Sequence, residues 1–458
     1  MGKILIRLLF VVALTVCNSV MGQGGMGTIP TPAFHWRCSA GNATLNHNPA
    51  VRLTGTTMVF DSIPFAKDYT VIVVYRPVAD TETTVWEMGL ADSCTRGLTT
   101  ERIVSDSVSV RYAEHTETTP AINTLRQSWP SRVTGSHPYN AVSDTTMVYA
   151  RLSLGGNGNL DVAEVLYFTG RLNNADLRRL QSGLAVRYGI TLGPVDYLDG
   201  AGHRIWEYAD SGLYHHRVTG VGADILTGLH QLCSRSESGD AILTVSTDSL
   251  GNGSYLLAGD NNGPLAFEQD GNLEMLQRSW RIQATMTDET LFSLAFDTRD
   301  MANHGDSLVL LVDYGDGMGN SHIYLPNNVG GDSAVFSGVA FPTDSSRFTL
   351  GRGGGFWQMA LMDSPGNAKS KDVGEGRNIA RHAARLYPNP TSGHYFIEVD
   401  DADWVRVTIY NMQGAVVASH NSEGGRRHRF GGELPTGNVY YANIETENGS
   451  QTMKLAVK

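Results

Sequence analysis

The stretch that decides the reading of this chain is Leu386-Tyr387-Pro388-Asn389-Pro390-Thr391-Ser392-Gly393. Two prolines bracketing one asparagine hold the backbone extended, because a residue before proline is pushed out of the helical region. Ser392-Gly393 then permits a turn. From there to Lys458 apolar residues recur at period two. Tyr395, Ile397 and Val399 share one face of a strand, and Val405, Val407 and Ile409 one face of the next. Asn411-Met412-Gln413-Gly414 reads as a hairpin turn, with Ala415-Val416-Val417 as the return strand. Leu434-Pro435-Thr436-Gly437 is a further turn before a strand from Val439 to Glu445. Glu447-Asn448-Gly449-Ser450 turns into the closing Met453-Lys454-Leu455-Ala456-Val457-Lys458. The expectation is a small β-sandwich over residues 385–458.

Upstream of it, Asp363 to Ala384 is polar, Gly- and Lys-rich and aperiodic, so residues 353–384 read as a linker. Residues 193–352 read as one β unit, with strands at Ala241 to Ser246, Tyr255 to Ala258, Arg278 to Ala284, Leu291 to Phe296, Leu308 to Val312, Val335 to Ala340 and Arg347 to Leu350. Residues 34–192 read as another. There Tyr69 to Arg76 is apolar on both faces and belongs in the middle of a sandwich. Thr84 to Met88, Val104 to Tyr112, Met147 to Leu154 and Val162 to Phe168 continue the pattern. One helix follows. Asn174 caps it, Leu177, Leu180, Leu184 and Tyr188 form its stripe, and Gly189 ends it. Residues 23–33 are a flexible lead. Residues 1–22 read as a secretory signal, with Lys3 and Arg7 before an apolar run too short to span a bilayer. The fold class expected is mainly β, built of several β-sandwich domains.

The formal charge of −11 comes without any basic run, which argues against a nucleic-acid partner and suits an exported protein. No later segment is apolar enough to cross a membrane. Beyond the signal, Cys38, Cys94 and Cys233 remain, an odd number that leaves at least one thiol unpaired. Cys38 and Cys94 fall in one domain and could pair.

Tyr387-Pro388-Asn389-Pro390 with Gly393, Ile409-Tyr410-Asn411 with Gln413-Gly414, Leu434 with Gly437, and Lys454-Leu455 to Lys458 together resemble the C-terminal sorting domain of type IX secretion substrates of Bacteroidetes. Gly437-Asn438-Val439-Tyr440 carries one residue more than the family's usual spacing. The resemblance implies an immunoglobulin-like sandwich with Pro388, Asn389, Pro390, Gly393, Tyr410, Gly414, Gly437, Tyr440, Lys454 and Lys458 as its motif positions. It implies export through the periplasm to the cell surface or beyond. Its partners would be the secretion machinery, a sortase and a surface glycolipid anchor. Ala163-Glu164-Val165-Leu166-Tyr167-Phe168 and the helix after it resemble the end of a laminin-G/concanavalin-like jelly roll. Ile205-Trp206, Gly220-Val221-Gly222, Gly259-Asp260-Asn261 and Phe348-Thr349-Leu350-Gly351 resemble an uncharacterised module that follows such domains.

Chemistry is sparse. Glu164 stands alone on its strand and Asp161 falls on the opposite parity, so the paired carboxylates of a glycosidase are missing. No Gly-x-Ser-x-Gly elbow and no His-Glu-x-x-His are present. Asp313, Asp316 and Asn320 offer calcium oxygen ligands on a Gly-rich loop, which reads first as a solvated hairpin, as does Asp260-Asn261-Asn262-Gly263. His215 and His216, adjacent on a strand, should point to opposite faces. Trp36, Trp86, Trp129, Trp206 and Trp280 are available to stack on sugars, although most should be core. Asp-Ser/Thr triplets at Ser62, Ser107, Thr145, Ser249, Ser307 and Ser333 resemble an O-glycosylation sequon, and equally the turn that precedes a strand. The function expected is surface binding or adhesion to a glycan or a host or matrix protein. The alternatives are a glycan hydrolase and a structural surface-layer component.

Overall fold

The computed structural model describes residues 28–352 and 384–458, apart from residues 91–94, 106–107, 114–116, 129–147, 157, 271–272, 288–289, 302–307, 314–321, 327, 331, 342–344, 389–390, 401, 412–414 and 448. The fold is mainly β, with several sheets and, among the described residues, one helix. Contacts divide the chain into two units, Met1–Gly259 with Gln283–Glu289, and Asp260–Ile282 with Thr290–Lys458.

In the first unit two six-stranded sheets face each other. Tyr69–Pro77 lies inside one sheet, between Ala121–Gln127 and Asn159–Phe168. Its Tyr69, Val71, Val73 and Tyr75 face the sandwich core with Trp86, Leu152, Leu154 and Val165. Its Ile72 and Val74 face the other way and are equally buried, because the helix Asn174–Tyr188 lies over them through Leu180, Leu184 and Tyr188. That cover explains a strand apolar on both faces. The helix is capped by Asn173, whose side chain accepts from the Asp176 N–H at 2.8 Å, one residue earlier than expected; it ends at Gly189, in the left-handed region at φ 61°. Its opposite side, through Ala185 and Val186, packs on Tyr197, Trp206, Val218 and Tyr255. The helix is thus buried between two sheets of this unit.

One reading changes, and one hairpin appears that was not expected. Val104 to Tyr112 is not one strand but a hairpin of Arg102–Ser105 and Val108–Arg111. Ala43–Leu45 and Asn48–Thr54, which carry little strand signal, form a hairpin across the two-residue turn Asn46-His47. Both turn residues have positive φ, 46° and 64°, as a type I′ turn requires. Cys38 is a buried free thiol and Cys233 a half-buried one; Cys94 lies outside the described residues.

In the second unit Leu273–Thr285 pairs through Glu274–Arg281 with Arg347–Arg352, which also pairs with Leu308–Asp313. Phe292–Asp297 pairs with Ser333–Val339. Trp280, Phe296, Phe336 and Phe348 make an aromatic core, with Trp280 stacked on Phe348 at 5.6 Å. The same unit holds the C-terminal sandwich. A sheet of Ala384–Tyr387, His394–Asp400 and Arg427–Glu433 faces one of Val416–Glu423, Trp404–Tyr410, Asn438–Thr446 and Gly449–Val457. Tyr395, Ile397, Val399, Val405, Val407 and Ile409, the period-two residues of the sequence, fill its core.

Candidate functional site

The separated motif pieces of the C-terminal sandwich meet around its final strand. Gly449–Val457 pairs along its length with Asn438–Thr446. On its other side Thr391 forms a parallel bridge to Val457. The Thr391 N–H donates to the Ala456 carbonyl at 2.8 Å, and the Lys458 N–H to the Thr391 carbonyl at 2.8 Å. The Thr391 hydroxyl, turned inward, donates to the His394 carbonyl and accepts from the Gly393 N–H, which fixes the turn at Gly393. The Gly393 carbonyl accepts from Leu434, and the Gly437 N–H donates to Val457 at 3.0 Å. Gly437 sits at φ 78°, a conformation that favours glycine. The extra residue before Tyr440 is absorbed as the first strand residue, Asn438, paired with Val457. Tyr440 is buried and its hydroxyl donates to the Pro435 carbonyl. Pro388, Lys454 and Lys458 are exposed beside this junction, and Asn389, Pro390 and Gly414 lie outside the described residues. Tyr410 is buried at the end of its strand. Thr391 carries no signal of its own in the sequence beyond its place between Pro390 and the Ser392-Gly393 turn.

The carboxylates of the first sandwich are arranged differently from the sequence expectation. The pairing of Asn159–Phe168 with Tyr69–Pro77 slips between Val162 and Glu164. One residue is therefore extra at Ala163, and a period-two count fails across it. Asp161 lies opposite Arg76 and Glu164 opposite Val74, so both project on the helix-covered face rather than on opposite ones. Each is enclosed by cations. Asp161 accepts from Arg52 at 2.8 and 3.0 Å and from Arg76 at 2.7 Å. Glu164 accepts from His35 at 2.6 Å, Arg37 at 2.8 Å, Arg187 at 3.2 Å and the Tyr188 hydroxyl at 2.8 Å. Burial alone would raise both carboxyls. For Glu164 the His35 hydrogen bond and the charges of Arg187 and Arg37 outweigh it, and for Asp161 Arg52 and Arg76 do, so both are held below the usual carboxylate range. Asp161 ties neighbouring strands together and Glu164 ties sheet to helix through Arg187 and Tyr188; a carboxylate fixed as the anion cannot donate a proton at neutral pH.

A polar cleft of about 270 Å³ opens beside this network, lined by Thr44, Asn46, His47, Arg235, Ser236, Glu237 and Ser238. Asn46 is its hub. Its Nδ2 donates to the Arg187 carbonyl at 3.0 Å and to Ser234 Oγ at 2.9 Å, and its Oδ1 accepts from the Arg235 N–H at 2.7 Å. These bonds hold the left-handed turn in place.

His215 and His216 are not on opposite faces: their rings lie 4.5 Å apart, with Tyr208 against His215 at 4.9 Å. His215 precedes the strand, which begins at His216, so alternation does not govern the pair. Among the described residues no three His, Cys, Asp or Glu side chains gather as a metal site. Asp316 and Asn320, and the side chain of Asp313, lie outside the described residues. Trp86, Trp206 and Trp280 are core and Trp36 is half-buried, while Trp129 is outside the described residues. Ser62, Ser249 and Ser333 are exposed; Ser107, Thr145 and Ser307 lie outside the described residues. No helix among the described residues is long and apolar enough to cross a membrane.

Comparison with known proteins separates the address from the cargo. Residues 176–346 match a family described as Domain of unknown function (DUF8202). No curated protein matches. Among solved structures, a β-glucuronidase of Bacteroides uniformis, covalently bound to a cyclophellitol-6-carboxylate aziridine, is similar at 12% identity and a TM-score of 0.13. That match covers 37% of this chain and 26% of the glucuronidase. Tp47, the 47-kilodalton lipoprotein of Treponema pallidum, is similar at 10% identity and a TM-score of 0.16, over 85% of this chain and 87% of Tp47. Residues 385–458 match the secretion system C-terminal sorting domain. The small sandwich closed by Thr391 and Gly449–Val457 is therefore the sorting domain of a type IX secretion substrate, and the protein is exported to the cell surface or the extracellular space.

Proposed function

We propose that the exported protein works at the surface as a binding module for a glycan or a host or matrix protein, with residues 34–352 as the binding part. The observation that carries this reading is the outer face of the first unit's second sheet. Tyr149 is 55% exposed and Val59 38% exposed on paired strands, flanked by the exposed Arg151–Asp61 ion pair at 2.7 Å. An aromatic ring standing on a sheet among charged groups can stack on a sugar or anchor a protein contact. The strand carboxylates Asp161 and Glu164, by contrast, are committed to arginines, which favours binding over glycan hydrolysis. Two facing six-stranded sheets support the laminin-G-like reading of residues 34–192. Exposure of Ser62, Ser249 and Ser333 supports O-glycosylation at those three. Removal of the sorting domain by a cut in residues 353–384, with transfer to a surface glycolipid, completes the route.

A glycan and matrix-protein screen on the chain from Gln23 tests this. A ligand should appear whose affinity falls at least tenfold in Tyr149→Ala. A screen with no ligand, or a ligand indifferent to Tyr149, sinks the reading; turnover of a glycan would establish the hydrolase instead.

A further inference from the structure

Leu308-Val309-Leu310-Leu311-Val312 is apolar at every position, whereas Phe292–Asp297 in the same unit alternates buried and half-buried residues. In an antiparallel sheet such a run needs a cover on both faces. All five side chains are buried, at 0–3% exposure. Register gathers one set together: Val309 and Met275 both lie opposite Gly351, and Ile323 lies opposite Leu311. This face is closed by Tyr410 of the sorting domain. Tyr410 forms one cluster with Val309 and Leu311, and Met275, Ile323 and Leu325 pack around it.

Tyr410 is placed for this contact rather than for its own core. Val405, Val407 and Ile409 point into the small sandwich, and the next position along the strand points out. Tyr410 is nevertheless only 3% exposed, and its hydroxyl donates to the Pro326 carbonyl at 3.3 Å. Its strand partner Tyr441 is buried too, at 6%.

We infer that the sorting domain is carried docked on the preceding module, with Tyr410 as the plug, so that its removal uncovers an apolar surface of Met275, Val309, Leu311, Ile323 and Leu325. The partner this surface fits is the sorting domain of the same chain. Cutting the linker alone then leaves the two pieces bound, and release requires something that pulls them apart. The contact stands independently of what the surface of residues 34–352 binds.

The test uses the chain from Gln23 to Lys458 with a site-specific protease sequence replacing Lys369–Lys371. After cutting, the two wild-type pieces should co-elute on gel filtration. Tyr410→Ala and Val309→Asp, one on each side of the contact, should each release the small piece while both pieces keep their own melting transitions. Tyr410→Phe, which keeps the ring, should still co-elute. Wild-type pieces that separate on cutting overturn the inference, as do the two disrupting variants if both co-elute like wild type. Should a variant lose a melting transition, hydrogen exchange decides. Amides of Leu308–Asp313 should exchange at least tenfold faster in a chain ending at Arg352 than in the full chain; equal rates overturn the inference.

Discussion

Deleting Thr452–Lys458 should unfold the sorting domain alone and trap the protein in the periplasm. The structure gives the scale. Leu455 is fully buried and Val457 is 2% exposed, and burying a side chain of this kind is worth about 1.5–3 kcal/mol. The two together contribute about 3–6 kcal/mol before any backbone term. A domain the size of residues 385–458 has a total stability of only about 4–11 kcal/mol at ordinary values per residue. The deletion also removes the hydrogen bonds that tie Thr391 and Gly437 to Ala456, Val457 and Lys458, and it leaves Asn438–Asn443 as an unpaired edge. These losses together exceed what the small sandwich can spare. Residues 34–352 keep their own cores and should stay folded. Fractionation with surface labelling reads the location, and calorimetry should show one transition lost. A truncated protein displayed at wild-type level would refute the reasoning. So would a sandwich transition that survives the deletion.

Glu164→Gln keeps the shape but leaves Arg37 and Arg187 facing a neutral group, and should destabilise the first unit by about 3–5 kcal/mol in denaturant titrations. Because Glu164 and Asp161 are held below the usual carboxylate range when folded, their stabilisation is complete above the unfolded value, about pH 4, and is lost as pH falls below it. Melting temperature should therefore drop steeply below about pH 4, less so in Glu164→Gln; parallel curves would contradict this account. Gly189→Ala should cost about 1–2 kcal/mol for the left-handed backbone alone, and more because the new Cβ would stand 2.3 Å from the Arg235 carbonyl oxygen; an unchanged melting temperature would show that the helix end is not as described. Denatured, unreduced protein from Gln23 should take up alkyl groups at both Cys38 and Cys233, which are free thiols. One label in a monomer would mean that one of them is joined to another cysteine.

Much of the fold could be read from local chemistry. Alternation at Tyr395–Val399 and Val405–Ile409 follows from one buried face, and Gly189 ends the helix because only the left-handed region fits there. What escaped reading lacks a local cause. The Asn46-His47 turn has only one residue that tolerates positive φ readily, and it is held by Val186, Arg187, Ser234 and Arg235, all distant in sequence. The hairpin of Arg102–Ser105 and Val108–Arg111 hid because its two strands lie only two positions apart in the sequence. The sorting motif was visible as scattered pieces, but the reason they belong together, the Thr391–Val457 bridge, joins the two ends of the domain.

Counting failed for Asp161 and Glu164 at a single slip in the ladder. Period-two reading assigns each residue a face, and that holds only while the ladder is unbroken. One extra residue at Ala163 moves Glu164 to the face of Asp161, and both anions then need partners on that face. Arg37, Arg52, Arg76 and Arg187 come from three other strands and the helix to supply them, so the slip can be recognised afterwards by the convergence of charge. Burying two carboxylates costs more than burying two apolar groups unless every oxygen is met. Here the cost is met only when strand, neighbouring strands and helix are all in place. The ion pairs therefore act less as stabilising contacts than as a register check: a one-residue shift of Asn159–Phe168 would leave two buried carboxylates and the buried Arg187 unpaired at once, and that arrangement should be the one the folded chain rejects most strongly.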